Sequence, residues 1–187
     1  MPDIVIRDGT VIDGTGQPQR SADVAIDGNQ ITAVGSGISR GDREINAAGA
    51  LVMPGWVDVH THYDGQVTWD PYLTPSSWHG VTTAVFGNCG VGFAPVNNGT
   101  EDYLINLMEG VEDIPGSVLA EGMDFSWQTF PEYLDRVDAS PKVMDVAAQV
   151  PHGPLRFYVM GERGADHTIV PNHDEIETMG TIVEEAL

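Results

Sequence analysis

At Pro54-Gly55 the rhythm of this chain changes, and that change constrains the fold more than any other feature. Before it, short apolar runs alternate with tight turns. Residues 4–6 and 11–12 flank Asp8-Gly9, and residues 24–26 face residues 31–34 across Asp27-Gly28-Asn29-Gln30. Asp-Gly pairs supply the positive backbone angles that hairpin turns need. With Ile45 and residues 51–53 as further strands, residues 1–53 read as a β-module of about five to seven strands, with no chemistry of its own.

After Pro54-Gly55, strands alternate with helices. Residues 56–60 alternate apolar and polar, and residues 81–86 form a near-continuous apolar run of the kind buried on both faces of a parallel sheet. A helical stretch follows at 102–109, a third buried strand at 143–150, and an amphipathic helix at 174–187. This order predicts βα units and an α/β fold. Residues 110–140, rich in Gly, Pro and aromatics, read as an insertion, because loops of that length are usually functional. A (β/α) barrel needs about 200 residues, and the roughly 130 available after the β-module suffice for about three of its eight strands. No Gly, Asn or Pro closes the last helix, so the chain reads as truncated.

Composition narrows the partners. Acidic residues number 28 against 8 basic ones, a formal charge of -20 that repels nucleic acid and anionic membranes. The acids are spread along the chain, as on a solvated surface. No run of about 18 apolar residues occurs, and residues 1–7 lack the charged head and apolar middle of a signal peptide, so a cytoplasmic protein is expected. A single cysteine, Cys89, excludes an internal disulfide.

Asp58, His60 and His62 occupy alternate positions and share one face of an extended backbone, with Val57 and Val59 on the other, packed outward against helices. Two imidazoles leaving the carboxyl end of a strand can hold a divalent metal, and Asp58 can orient His60. A bare His-x-His pair is also compatible with ordinary loop histidines. Asp64 faces the same mouth, either toward substrate or toward backbone amides. Cys89 follows the second strand in a glycine-rich turn, where its thiolate can join a metal site or, alternatively, its side chain can simply pack. His152 and Arg156 follow the third strand; His152 can line a pocket or be a structural histidine in a turn, and Arg156 can pair with a carboxylate in the pocket or form a salt bridge at a helix start. His79 precedes a strand and reads as structural, and His167 and His173 read as solvent-facing.

The segment Val52-Met53-Pro54-Gly55-Trp56-Val57-Asp58-Val59-His60-Thr61-His62 resembles the first barrel strand of the amidohydrolase superfamily. Gly87-Asn88-Cys89-Gly90 and Pro151-His152-Gly153-Pro154-Leu155-Arg156 resemble stretches of its N-acyl-D-amino-acid deacylases, or D-aminoacylases. The resemblance implies the N-terminal part of a metal-dependent (β/α)8 TIM barrel over residues 54–187, preceded by half of a β-sandwich. It implies zinc, as one or two ions, held by His60, His62 and Cys89, with Cys89 in the bridging place that relatives such as hydantoinases give to a carboxylated lysine. Lys142, the one lysine, precedes the third strand and does not suit that place. Asp58, Asp64, Asn88, His152 and Arg156 would line the substrate pocket or support the ligands. The implied reaction is hydrolysis of the amide of a small-molecule N-acyl-D-amino acid by metal-activated water, in an enzyme compatible with a homo-oligomer. The catalytic aspartate and further histidines are expected downstream, so the 187 residues alone would be inactive and bind metal weakly. The alternatives are a hydantoinase-like cyclic amidase on the same scaffold, or a non-catalytic truncated fragment.

Overall fold

The computed structural model describes residues 1–112 and 114–187 and divides them into two units, Met1–Gly55 and Trp56–Leu187. The first unit is one mixed five-stranded sheet. β1 (Ile4–Val11), β2 (Arg20–Asp27) and β3 (Gln30–Gly35) run antiparallel in the order β3-β2-β1, and β4 (Arg43–Asn46) and β5 (Leu51–Val52) both pair parallel to β1. The hairpin expected across residues 27–30 joins β2 to β3. Asp8-Gly9, expected as a turn, is instead an irregularity inside β1. Asp8 takes a left-handed φ of 58° and the register with β2 shifts between Ile6 and Gly9. A bulge of this kind absorbs a residue without reversing the strand. Gly9 is needed there because an added Cβ would stand 2.4 Å from Val52 Cγ2. The small core is Val11, Ala22 and Val24, flanked by Ile6, Ile26 and Val52. Among the described residues this unit is a single sheet layer.

The second unit is a parallel sheet with strand order β6-β7-β8, formed by Trp56–Asp58, Val81–Phe86 and Asp145–Ala148. Parallel neighbours need long crossovers. Residues 59–80 make the first, through two short 3-10 turns. The second contains α1 (Glu101–Glu112), α2 (Gly116–Gly122) and α3 (Phe130–Asp138). After β8 come α4 (His152–Met160) and α5 (His173–Glu185). The 110–140 stretch, in which Asp113 lies outside the described residues, is therefore largely helical. It supplies Leu119, Trp127, Phe130, Tyr133 and Val137 to the core beside Phe86, Phe93 and Leu104.

Two sequence expectations about the sheet need correction. β7 is not buried on both faces: Ala84 and Phe86 are enclosed on one, whereas Val81, Thr83 and Val85 on the other are only partly buried. Val57 does not pack on helices either. Register sets Val57 level with Thr83 and Asp145, and Asp58 level with Ala84 and Val146. Residues level with one another share a face, so Val57 lies opposite the face from which Phe86 meets Tyr133 of α3. Val57 is 59% exposed and Val59, past the strand end, 66%. Among the described residues no helix is long and apolar enough to cross a membrane.

Candidate metal centre

β6 ends at Asp58, so His60 and His62 sit on the loop beyond its carboxyl end rather than on the strand. The pleat does not position them; Thr61 does. Both its amide and its hydroxyl donate to the Val85 carbonyl of β7, at 2.9 and 2.8 Å. That buried anchor fixes the backbone between the two histidines. Their rings meet edge to face, with centroids 5.5 Å apart. Asp58 contributes differently from the expectation: its Oδ1 accepts the backbone N–H of His60 at 3.2 Å, turning the chain out of the strand.

Cys89 approaches from the turn after β7. Gly87 has φ 82°, and a Cβ there would fall 2.2 Å from the Gln149 carbonyl oxygen, so no side chain fits. Cys89 itself holds a left-handed φ of 54°, an unusual state for a residue with a Cβ. Asn88 braces the turn: its Nδ2 donates to the Thr61 and Val85 carbonyls, and its Oδ1 accepts from Gln149 Nε2 at 2.9 Å. The result puts Cys89 Sγ 3.2 Å from His60 Nε2, and donor atoms of His60, His62 and Cys89 lie within 4.8 Å of one another. Donors about 2.0–2.3 Å from one tetrahedral zinc stand closer together than that limit. His62 Nδ1 is buried without a hydrogen-bond partner. Two imidazoles and a sulfur at this spacing fit a zinc-type ion.

The surroundings are short of positive charge. Asp64 is 2% exposed, and burial pushes its carboxyl up to about 7, with Glu112 acting in the same direction; its Oδ2 has no partner. The Asp64 carbonyl accepts from the buried Tyr133 hydroxyl at 2.6 Å. All four Lys and Arg side chains of this unit are occupied elsewhere. Arg136 binds Asp124, Ser140 and the Thr68 carbonyl, and Arg163 binds Glu175. Lys142 donates to the Val137 carbonyl in the last turn of α3 and to the Ser140 carbonyl just past it. Among the described residues Arg156 meets no carboxylate, contrary to expectation. It is buried in α4 and donates to the Gly164, Asp166 and Ile169 carbonyls, because the chain after α4 folds back over it. His152 opens α4, exposed, beside Gly90 of the Cys89 turn. His79, His167 and His173 are exposed and outside the cluster.

Sequence reasoning missed Thr61 and Glu112. Glu112, the last residue of α1, brings Oε1 to 3.7 Å from His62 Nε2. Nothing local marks it among 28 acidic residues; only the packing of α1 brings it to the histidine loop.

Comparison with known proteins bears on this cluster directly. The amidohydrolase family matches residues 43–187. The D-aminoacylase of Alcaligenes xylosoxydans xylosoxydans is 32% identical over 186 residues, an alignment covering 99% of this chain and 35% of the relative. A crystal structure of D-aminoacylase superposes with a TM-score of 0.81 at 36% identity, covering 100% of this chain and 36% of that one. The N-acyl-D-glutamate deacylase of Bordetella bronchiseptica, solved with zinc and a phosphonate mimic of the tetrahedral intermediate, gives a TM-score of 0.73 at 30% identity, with the same two coverages. The chain thus spans about a third of the length of the relatives it matches.

Proposed function

Because the chain belongs to the amidohydrolase family, we propose that it forms the first metal-binding part of an N-acyl-D-amino-acid deacylase, which hydrolyses the amide of a small N-acyl-D-amino acid. In this reading residues 54–187 are the first βα units of a (β/α)8 barrel, with an insertion at about 110–140, and residues 1–53 are half of a β-sandwich. The carrying observation is the convergence of His60, His62 and Cys89 beyond the carboxyl ends of adjacent parallel strands, where barrel enzymes keep their chemistry. The similarity to deacylases, one of them solved with zinc, supports the substrate class and the metal.

His60, His62 and Cys89 would hold one or two zinc ions, the sulfur serving as the anionic donor beside neutral imidazoles. When bound, such an ion supplies Lewis-acid polarisation of the amide carbonyl and a nucleophile from water at neutral pH. The chain's other residues keep that donor set in place. Thr61 pins the histidine loop, Asn88 ties the cysteine turn to it, and Asp58 turns the backbone at His60. In this reading the buried, unpartnered Oδ2 of Asp64 would support a ligand side chain and the exposed ring of His152 would meet substrate. Arg156 is left out of the site.

Zinc content after dialysis tests this reading in the gene product carrying this chain and in its Cys89→Ala, Cys89→Ser and Lys142→Ala variants. Cys89→Ala should lose most of the metal, Cys89→Ser nearly as much because a hydroxyl ionises poorly, and Lys142→Ala none. Hydrolysis of N-acyl-D-amino acids by the gene product carrying this chain should follow the same order. Full zinc content in Cys89→Ala would overturn the assignment.

A further inference from the structure

The His62–Glu112 approach joins a helix to the loops that carry the three donors. Both side chains are largely shielded, at 12% and 27% exposure. The position of Glu112 goes against the ordinary electrostatics of a helix. The last turn of a helix carries the negative end of its dipole and favours cations, yet the last turn of α1 holds Glu109 and Glu112 and no basic residue. A partly buried carboxylate such as Glu112 is costly unless a cation sits beside it. The unit's four Lys and Arg side chains are bound elsewhere, so none of them pairs with Glu112.

His62 provides a second, independent observation. One ring nitrogen faces Glu112, and the other, Nδ1, is buried with no hydrogen-bond partner. A carboxylate facing one nitrogen draws the ring proton there and leaves the lone pair on the other. We propose that Glu112 is a positioning residue of the metal centre, orienting the His62 ring and adding negative charge that strengthens cation binding; the inference rests on the metal-centre reading above. Glu112 touches no reacting atom in this role and acts through His62.

Calorimetric zinc titration and the visible absorption of the cobalt(II)-loaded chain test the proposal in parent, Glu112→Gln, Glu112→Ala, Glu112→Asp and Glu109→Gln, with circular dichroism to check folding. Glu112→Gln and Glu112→Ala should lower zinc affinity about 10-fold or more and change the cobalt spectrum. Glu112→Asp should recover part of the loss, and Glu109→Gln should match the parent. A merely structural helix-end role would change melting without altering the cobalt spectrum. Parental affinity and spectrum in either Glu112→Gln or Glu112→Ala would overturn the inference alone. A parent chain that takes up no zinc would overturn it together with the metal-centre reading.

Discussion

Asp70 shows how a single side chain can organise a crossover that has little regular structure. Its Oδ2 accepts from Gln66 Nε2 at 2.8 Å and from the Thr74 amide and hydroxyl, while Oδ1 accepts the Tyr72 amide at 2.9 Å. Partial burial works to raise its pKa, but these hydrogen bonds outweigh burial and hold the carboxyl below its ordinary value. The sign follows from linkage. A depressed folded pKa means that the contribution is complete above the unfolded pKa, about 3.9, and disappears as pH falls through the folded value. Asp70→Asn keeps the shape but replaces one acceptor with a donor facing other donors. We expect a loss of about 1–3 kcal/mol at pH 7, shrinking as pH drops below about 4. Urea unfolding at pH 7 and pH 3 measures both numbers, and equal stability of the two proteins at pH 7 would contradict the account.

At the scale of elements, the stretch between α1 and β8 is scaffold. A capping box at Thr129 and Glu132 starts α3, which carries Phe130, Tyr133 and Val137 inward. Trp127, 2% exposed, donates its indole N–H to the Phe93 carbonyl at 2.8 Å and packs against Phe125 and Tyr133. This cluster lies behind Asp64, whose carbonyl takes the Tyr133 hydroxyl, so the stretch also supports the histidine loop. Trp127→Ala removes the ring and leaves a buried carbonyl without its donor. It should cost about 3–5 kcal/mol, a large share of the 5–15 kcal/mol that typically stabilises a domain. A chemical denaturation midpoint close to the parent's would show that residues 110–140 are dispensable to the core.

Across the whole molecule, the formal charge of -20 is the dominant electrostatic fact. Most acids have no cationic partner available, since 28 share 8 Lys and Arg residues. Net charge of this size opposes compactness through self-repulsion, and salt shortens its range from about 30 Å at 0.01 M to about 3 Å at 1 M. The melting temperature should therefore rise by several degrees as potassium chloride is raised across that range with metal absent, followed by calorimetry. A flat or falling profile would mean that the ion pairs weakened by salt, such as Arg7 with Asp23 and Glu44, outweigh the repulsion it relieves.

Sequence alone determined where strand-and-turn gives way to βα alternation, because apolar periodicity and Asp-Gly or Pro-Gly breaks are local properties of the chain. It also determined which residue types could hold a metal: a His-x-His pair and a lone cysteine in a glycine turn are visible without coordinates. What it could not determine was anything set by partners distant in the chain. Asp8-Gly9 reads as a turn until β2 pairs on both sides of it, and residues 110–140 read as a loop until Trp127 and Tyr133 find Phe93 and Asp64. The reach of His60 and His62 toward Cys89 is likewise decided by Thr61 bonding across to Val85, 24 residues away, rather than by strand pleating. Arg156 left the site, and Glu112 approached it, for the same physical reason. A long charged side chain takes the neighbours that folding brings to it, and those neighbours are set by tertiary packing.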